Sequence, residues 1–280
     1  MKKKEGRMRP LRFIQKYGRL IIGGTIIAVV LFGALFAPVL TSHDPEQVSL
    51  IEKKQGPSEE HVLGTDIYGR DIMARILYGS RTTLIVAIGV QVLVTLAGTV
   101  LGLVCGYYSK VEKILMRILD AFSTIPSLLL CLMMVAIFGA GTINLILAMS
   151  VGAIPGCARM VRNQVLSLRE KEYIESEKAM GASDIRTMFF HILPACSSYL
   201  IVRFSSGLAG SVLSMTSLSY LGLGLSPLIP SWGGMVYEGQ TYMFGTPHLV
   251  FYPALAICIT VFGFSLLGDG VRDLLDLKLR

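Results

Sequence analysis

The residues of this 280-residue chain that could carry catalytic or metal chemistry are few: four histidines, five cysteines and a scatter of carboxylates. His43, His61, His191 and His248 fall in loops or near the ends of apolar runs, and Asp120 is the acid nearest the inside of one. An intramembrane enzyme would need a nucleophile with its base, or paired acids, together inside those runs. Ser and Thr are plentiful there, but such partners are not. Cys105, Cys131, Cys157, Cys196 and Cys258 show neither zinc spacing nor a disulfide framework and read as small packing residues. No catalytic residue and no metal site is therefore expected. Arg203 is the one ionisable group inside a run, placed to snorkel to the nearer interface. An ion-coupled secondary carrier, which would keep ionisable groups at mid-membrane, is the alternative from another class. Two charge clusters are denser. Asp66, Arg70, Asp71 and Arg75 form one, read as a local salt-bridge network in preference to a site for peptide termini or a docking protein. The other is Glu172-Tyr173-Ile174-Glu175-Ser176-Glu177-Lys178-Ala179-Met180-Gly181-Ala182-Ser183-Asp184, a charged island between apolar blocks.

The elements that must position these residues are membrane helices. The chain is 52% apolar with a mean hydropathy of +0.61, too apolar for an ordinary soluble domain. A crossing helix needs roughly 20 apolar residues. Uncharged runs place six, near 20–40, 82–107, 118–138, 142–160, 198–218 and 248–268. The fold class expected is all-α and polytopic. An even count puts both termini on one side. If that side and the 108–117 and 159–197 loops are cytoplasmic, they hold 20 of the 26 Lys and Arg, as the positive-inside rule requires. The net charge of +7 then reflects topology and anionic lipid, with no nucleic-acid partner implied. Residues 1–19 form a basic tail. Residues 20–40 form a retained anchor, because the apolar run is too long for a signal peptide and lacks a good cleavage site.

Residues 41–81 form an outer segment. Its second half reads as a helix lying in the interface, with Ile72, Ile76 and Leu77 on one face and Arg70, Arg75 and Arg81 toward headgroups or protein. Residues 82–268 hold five helices and a loop at 161–197, and 269–280 form a second tail. Gly98, Gly102 and Gly106 recur every fourth residue, a strip that lets another helix approach closely, within the chain in the first instance. Pro126, Pro155 and Pro253 fall within spans, where proline kinks a helix. The loop 219–247 carries one charge, Glu238, and should fold back onto protein or the interface, with Trp232 and Tyr237 at headgroup level.

Within the island, Glu172 and Glu175 favour the start of a helix through its dipole. Gly181 suits the left-handed residue that stops it. Ser183 is an N-cap for a second short helix with Ile185, Met188 and Phe189 on one side, ended by Pro194. An exposed apolar stripe of this kind needs a partner to bury it.

These residues resemble the "EAA" motif of ATP-binding-cassette importer permeases: Glu175, two further positions, Gly181, then Ile192-Leu193-Pro194. His61-Val62-Leu63-Gly64-Thr65-Asp66, Gly69-Arg70-Asp71, Ala158-Arg159-Met160-Val161-Arg162, Leu218-Ser219-Tyr220-Leu221-Gly222-Leu223-Gly224 and Gly268-Asp269-Gly270-Val271-Arg272-Asp273 extend the likeness over most of the chain. The chain is similar to the second permease subunit of dipeptide, oligopeptide and nickel importers. Two departures stand out: Ser176 and Glu177 replace the motif's alanines, and Leu277 replaces a proline. Glu177 would need a rim position or a matching cation on the partner. The resemblance implies a non-catalytic subunit of a bacterial or archaeal inner membrane, paired with a second permease. Its coupling residues would be Glu172, Glu175, Ser176, Ala179, Gly181, Ala182, Ser183, Ile185, Met188, Phe189 and Pro194, docked on cytoplasmic ATPases that bind ATP and Mg. An extracytoplasmic solute-binding protein would deliver the cargo. No G-x-x-x-x-G-K-S/T loop occurs in the chain, in keeping with energy supplied from elsewhere and with no cofactor of its own. Peptide is the first expectation for the cargo, nickel or a metal chelate the second. The substrate-contacting residues are not assigned by the sequence.

Overall fold

A computed structural model describes residues 10–278; the basic stretch 1–9 and residues 279–280 lie outside the described residues. Helix α1 (Pro10–Leu35) is followed by a short helix α2 (Ala37–Leu40) carrying Pro38 in its first turn. The main helix of the anchor thus ends at Leu35, five residues before the expected boundary. Arg81 donates from Nε to the Ala34 carbonyl and from a terminal nitrogen to that of Leu35 at 2.9 Å, satisfying carbonyls that the helix end leaves free.

Helix α3 (Ile72–Tyr107) corrects the expectation of a separate interfacial helix. It is a single run of 36 residues, about 54 Å long. Asp71 caps its start, the carboxylate accepting from the Ala74 amide at 2.6 Å, and no proline interrupts it. Ile72 faces the protein core, and Arg70 and Arg75 are buried, not turned to headgroups.

The expected span 118–138 is broken. Helix α4 (Ser109–Thr124) and helix α5 (Ser127–Phe138) meet at 87°. Pro126 has no amide hydrogen to continue the ladder, and it holds Ile125 extended at φ −84°, ψ 125°. Helix α6 (Thr142–Arg169) accommodates Pro155 internally. After it come α7 (Glu172–Ala179), α8 (Asp184–Arg186), a π-helical segment (Thr187–Ile192) and α9 (Leu193–Tyr220). Pro194 lies in the first turn of α9, the position where proline fits a helix. It therefore does not end the unit: helix continues from Asp184 to Tyr220. Helix α10 (Trp232–Gly239), a 3-10 turn (Gln240–Tyr242) and α11 (His248–Lys278), which contains Pro253, complete the chain. Among the described residues, five helices are long and apolar enough to cross a membrane, and the bent α4–α5 pair makes six if it counts as one.

Two seams hold the bundle. The glycine strip of α3 lies against α6: a Cβ on Gly98 would stand 2.6 Å from Cys157 Cβ, and one on Gly106 2.5 Å from Val165 Cβ. Both helices thus repeat at four residues across the contact, with backbones close enough for dense packing. The second seam joins α1, α9 and α11. Arg19 meets Asp273 at 3.4 Å, so the two ends of the described chain lie at the same end of the bundle. The opposite end, the loop end, carries residues 41–71 and 221–247. Trp232 corrects another expectation. It is buried in protein, donating from its indole nitrogen to the Ile76 carbonyl at 3.0 Å, while Tyr237 remains partly exposed.

Candidate functional site

Helix α9 sets one wall of a cavity of about 440 Å³ within the apolar part of the bundle. Arg203, Ser206, Gly207, Gly210, Ser211, Ser214 and Ser217 recur at spacings of one, three and four and line it, so they form a single helical face. Gln91 of α3, Ser127 of α5 and Gly152 of α6 close the other sides. Ser206 and Ser217 donate to the Val202 and Leu213 carbonyls four residues back, each at 2.9 Å. That arrangement satisfies the hydroxyl hydrogens inside an apolar bundle and leaves oxygen lone pairs for the cavity.

Gln91 is buried. Its amide nitrogen donates to the Gly207 carbonyl at 3.0 Å and to Ser211 Oγ at 2.7 Å, while its carbonyl oxygen has no partner. The Arg203 guanidinium makes no ion pair or hydrogen bond with the described residues, although its backbone carbonyl accepts from Ser206 Oγ at 3.4 Å. An arginine inside a membrane helix that lines a cavity marks a ligand pathway more often than it serves packing. The cavity therefore offers one cation, one unfilled amide acceptor and several hydroxyls, and no carboxylate. The sequence reading missed this face, although the signal was present as Ser and Gly at helical spacing through 206–217.

At the end of the bundle opposite the loops stands the charged island. Helix α7 carries Glu172 and Glu175 in its first turn and buries Ile174 against the core. Gly181 ends it at φ +87°. The Gly181 amide donates to the Lys178 carbonyl at 3.0 Å and the Ala182 amide to that of Glu177 at 3.1 Å, the paired bonds of a left-handed helix stop. Ser183 Oγ then accepts from the Arg186 amide at 3.4 Å, and Asp184 accepts from the hydroxyls of Tyr107 at 2.7 Å and Tyr108 at 3.1 Å. The second helix is thereby fastened to the end of α3.

Of the apolar stripe read from the sequence, Ile185 and Phe189 are exposed but Met188 is buried within the chain. The π-helical turn widens the spacing and rotates Met188 inward. Tyr173, Met180 and Phe190, which were not singled out, are exposed beside them. Glu175, Ser176, Ala179 and Pro194 are exposed too. Glu177 has a partner within the chain, His191 Nε2 lying 3.4 Å from its carboxylate.

At the loop end, the Asp66/Arg70/Asp71/Arg75 cluster is a buried network completed by Glu238 of α10. Arg70 Nε meets Asp66 at 2.6 Å, and a terminal Arg70 nitrogen meets Glu238 at 2.6 Å. Arg75 stands 3.5 Å from Asp66 and 3.7 Å from Glu238. Burial pushes the Glu238 carboxyl above its ordinary value, and Arg75 and Arg70 oppose that shift. The network locks α10 and the loop end to the start of α3.

Residues 98–280 match the family described as binding-protein-dependent transport system inner membrane component. The chain is 40% identical to the glutathione transport system permease protein GsiD of Pectobacterium atrosepticum, over 96% of this chain and 90% of that one. It is 38% identical to the dipeptide transport system permease protein DppC of Alkalihalophilus pseudofirmus, over 95% and 88%. Its fold is similar to a chain in an inward-facing structure of the MetNI methionine ABC transporter, with a TM-score of 0.62 and 21% identity, over 73% of this chain and 97% of that one. The protein is a multi-pass membrane protein, and it belongs to the family of binding-protein-dependent transport system inner membrane components.

Proposed function

We propose that this chain is a permease subunit of an ATP-driven importer of dipeptides or short oligopeptides. The observation that carries the proposal is the lining of the cavity. A short peptide presents a carboxylate, amide hydrogens and amide carbonyls. Arg203 is complementary to the carboxylate, the unfilled Gln91 carbonyl and the lone pairs of Ser206 and Ser217 to amide hydrogens, and the hydroxyls of Ser211 and Ser214 to amide carbonyls. A bare nickel ion, the second candidate cargo, would meet an arginine and no cluster of imidazoles or carboxylates in that cavity. The names of the relatives, glutathione and dipeptide permeases, favour the same cargo.

In this reading both termini and the island at 172–190 are cytoplasmic, and the loop end faces outward toward a solute-binding protein. A second permease completes the pathway around the open side of the cavity, within membrane lipid. The island docks on a cytoplasmic ATPase, which binds ATP and Mg; this chain is non-catalytic and holds no cofactor. Tyr173, Met180, Ile185, Phe189 and Phe190 supply the apolar docking face, and Gly181 and Ser183 hold its shape.

The test is reconstitution of the chain in proteoliposomes with its second permease, ATPases and receptor. ATP-dependent uptake of a labelled dipeptide or tripeptide, lost on Arg203→Met with the complex intact, is the expected result. Uptake of nickel but no peptide would overturn the cargo. Charge reversal or a proline between Ala179 and Ala182 should abolish ATPase co-purification while leaving the chain inserted; an intact complex from such variants would overturn the docking role.

A further inference from the structure

Between α2 and α3, the loop end brings together three residues that nothing in the sequence groups. One donor atom each from His43, Glu60 and His61 lies within 4.8 Å of the other two. His43 and His61 are stacked at a tilt, with ring centroids 4.9 Å apart. His61 is the fixed member: it is buried, and its Nδ1 lies 2.9 Å from the Asp71 carboxylate. Asp71 is itself held as the cap of α3.

A carboxylate at Nδ1 takes the ring hydrogen there and leaves Nε2 as a lone-pair donor. Nε2 is buried without a hydrogen-bond partner, and the Glu52 carboxylate stands 4.0 Å from it. A carboxylate behind a histidine whose far nitrogen is free is the outer-shell arrangement that orients metal-binding imidazoles. We infer that His43, Glu60 and His61 form a site for a divalent cation of the zinc class on the loop end.

The donor set decides the class. Two imidazoles and a carboxylate suit zinc and its first-row neighbours, whereas calcium and magnesium take oxygen ligands. Metal–ligand bonds of about 2.0–2.2 Å place tetrahedral ligands roughly 3.4 Å apart, so the donors must close by on the order of 1 Å. The residues that would move are the less buried ones: His43 is partly buried and Glu60 is exposed. Glu52 or water is in reach as the fourth ligand. His43 also lines an open cleft of about 590 Å³ beside Pro38, Glu46 and Arg81, which gives an ion a route in. A bound ion would cross-link the segment following α2 to the cap of α3. The inference is independent of which cargo the cavity carries.

The test uses the tag-free permease complex in detergent, stripped with chelator and titrated with zinc chloride by calorimetry. A parallel titration with cobalt chloride is read by visible absorption. One equivalent per chain is expected, with tetrahedral cobalt bands and a higher unfolding temperature in zinc. His43→Ala, which leaves the His61–Asp71 bond in place, should weaken binding at least tenfold and remove the temperature shift. Glu60→Gln should weaken it as well, and His248→Gln should leave it unchanged. Absence of zinc binding by the wild type, or binding unaffected by His43→Ala, overturns the assignment.

Discussion

Arg70 and Glu238 are 168 residues apart in sequence and meet at 2.6 Å, with Arg70 buried and Glu238 largely so. Asp66 and Arg75 close the group from the other side. Removing one member leaves uncompensated charge in a low-dielectric place. Glu238→Ala is expected to destabilise the protein by about 3–5 kcal/mol, measured by denaturation of the purified complex. Glu238→Gln, which keeps an acceptor but no charge, should cost less. Wild-type stability in both would show that the loop end is not held by this network.

Gly102 faces α6 so closely that a Cβ there would stand 2.5 Å from Val161 Cβ and 2.7 Å from the Ala158 carbonyl. Gly102→Val should therefore cost about 1–3 kcal/mol by overpacking. Val161→Ala in the same chain should recover part of that loss, because the two changes share one contact. Additive destabilisation in the double variant would place the strain elsewhere.

Met188 and Ile185 lie in adjacent turns of the same segment, one buried and one exposed. Met188→Ala should cost about 2–5 kcal/mol through lost burial and a cavity. Ile185→Ala should change stability by less than about 0.5 kcal/mol while weakening recovery of the ATPase with the permease. Equal effects of the two on both readouts would contradict the proposed docking face.

Gln91 fills the space above Gly207: its amide atoms are the nearest neighbours of a Cβ built there. Gly207→Ala should reduce both stability and peptide uptake. Gln91→Ala added to it should restore folding, since the colliding group is gone, but not uptake, since the amide contacts of the cavity are lost with it. Restoration of both would remove Gln91 from the transport pathway.

The contrast between these sites shows what a single chain reveals before it folds. Features encoded by neighbours in sequence were legible. The helix stop at Gly181, the cap at Ser183 and the four-residue glycine strip each depend on a few adjacent residues. The break at Pro126 was signalled by its proline, but its 87° angle depends on how α4 packs on α6, where Arg162 Nε meets Glu112 at 2.9 Å. Glu238 as partner of Arg70, and His43 as neighbour of His61, are products of chain return over long separations, which local pattern does not encode. Met188 shows the limit within one helix. A period of 3.6 puts it on the face of Ile185, whereas the backbone there takes a wider, π-helical turn.

Helical backbone runs without interruption from the proposed docking face to the cavity wall. From Asp184 to Tyr220 it covers 37 residues, about 55 Å at an α-helical rise. Such a rod acts as a lever: a tilt of a few degrees at one end displaces the other by several ångströms. The side chains from Arg203 to Ser217 ride on its shaft, so a small pull at the root would alter the width of the cavity.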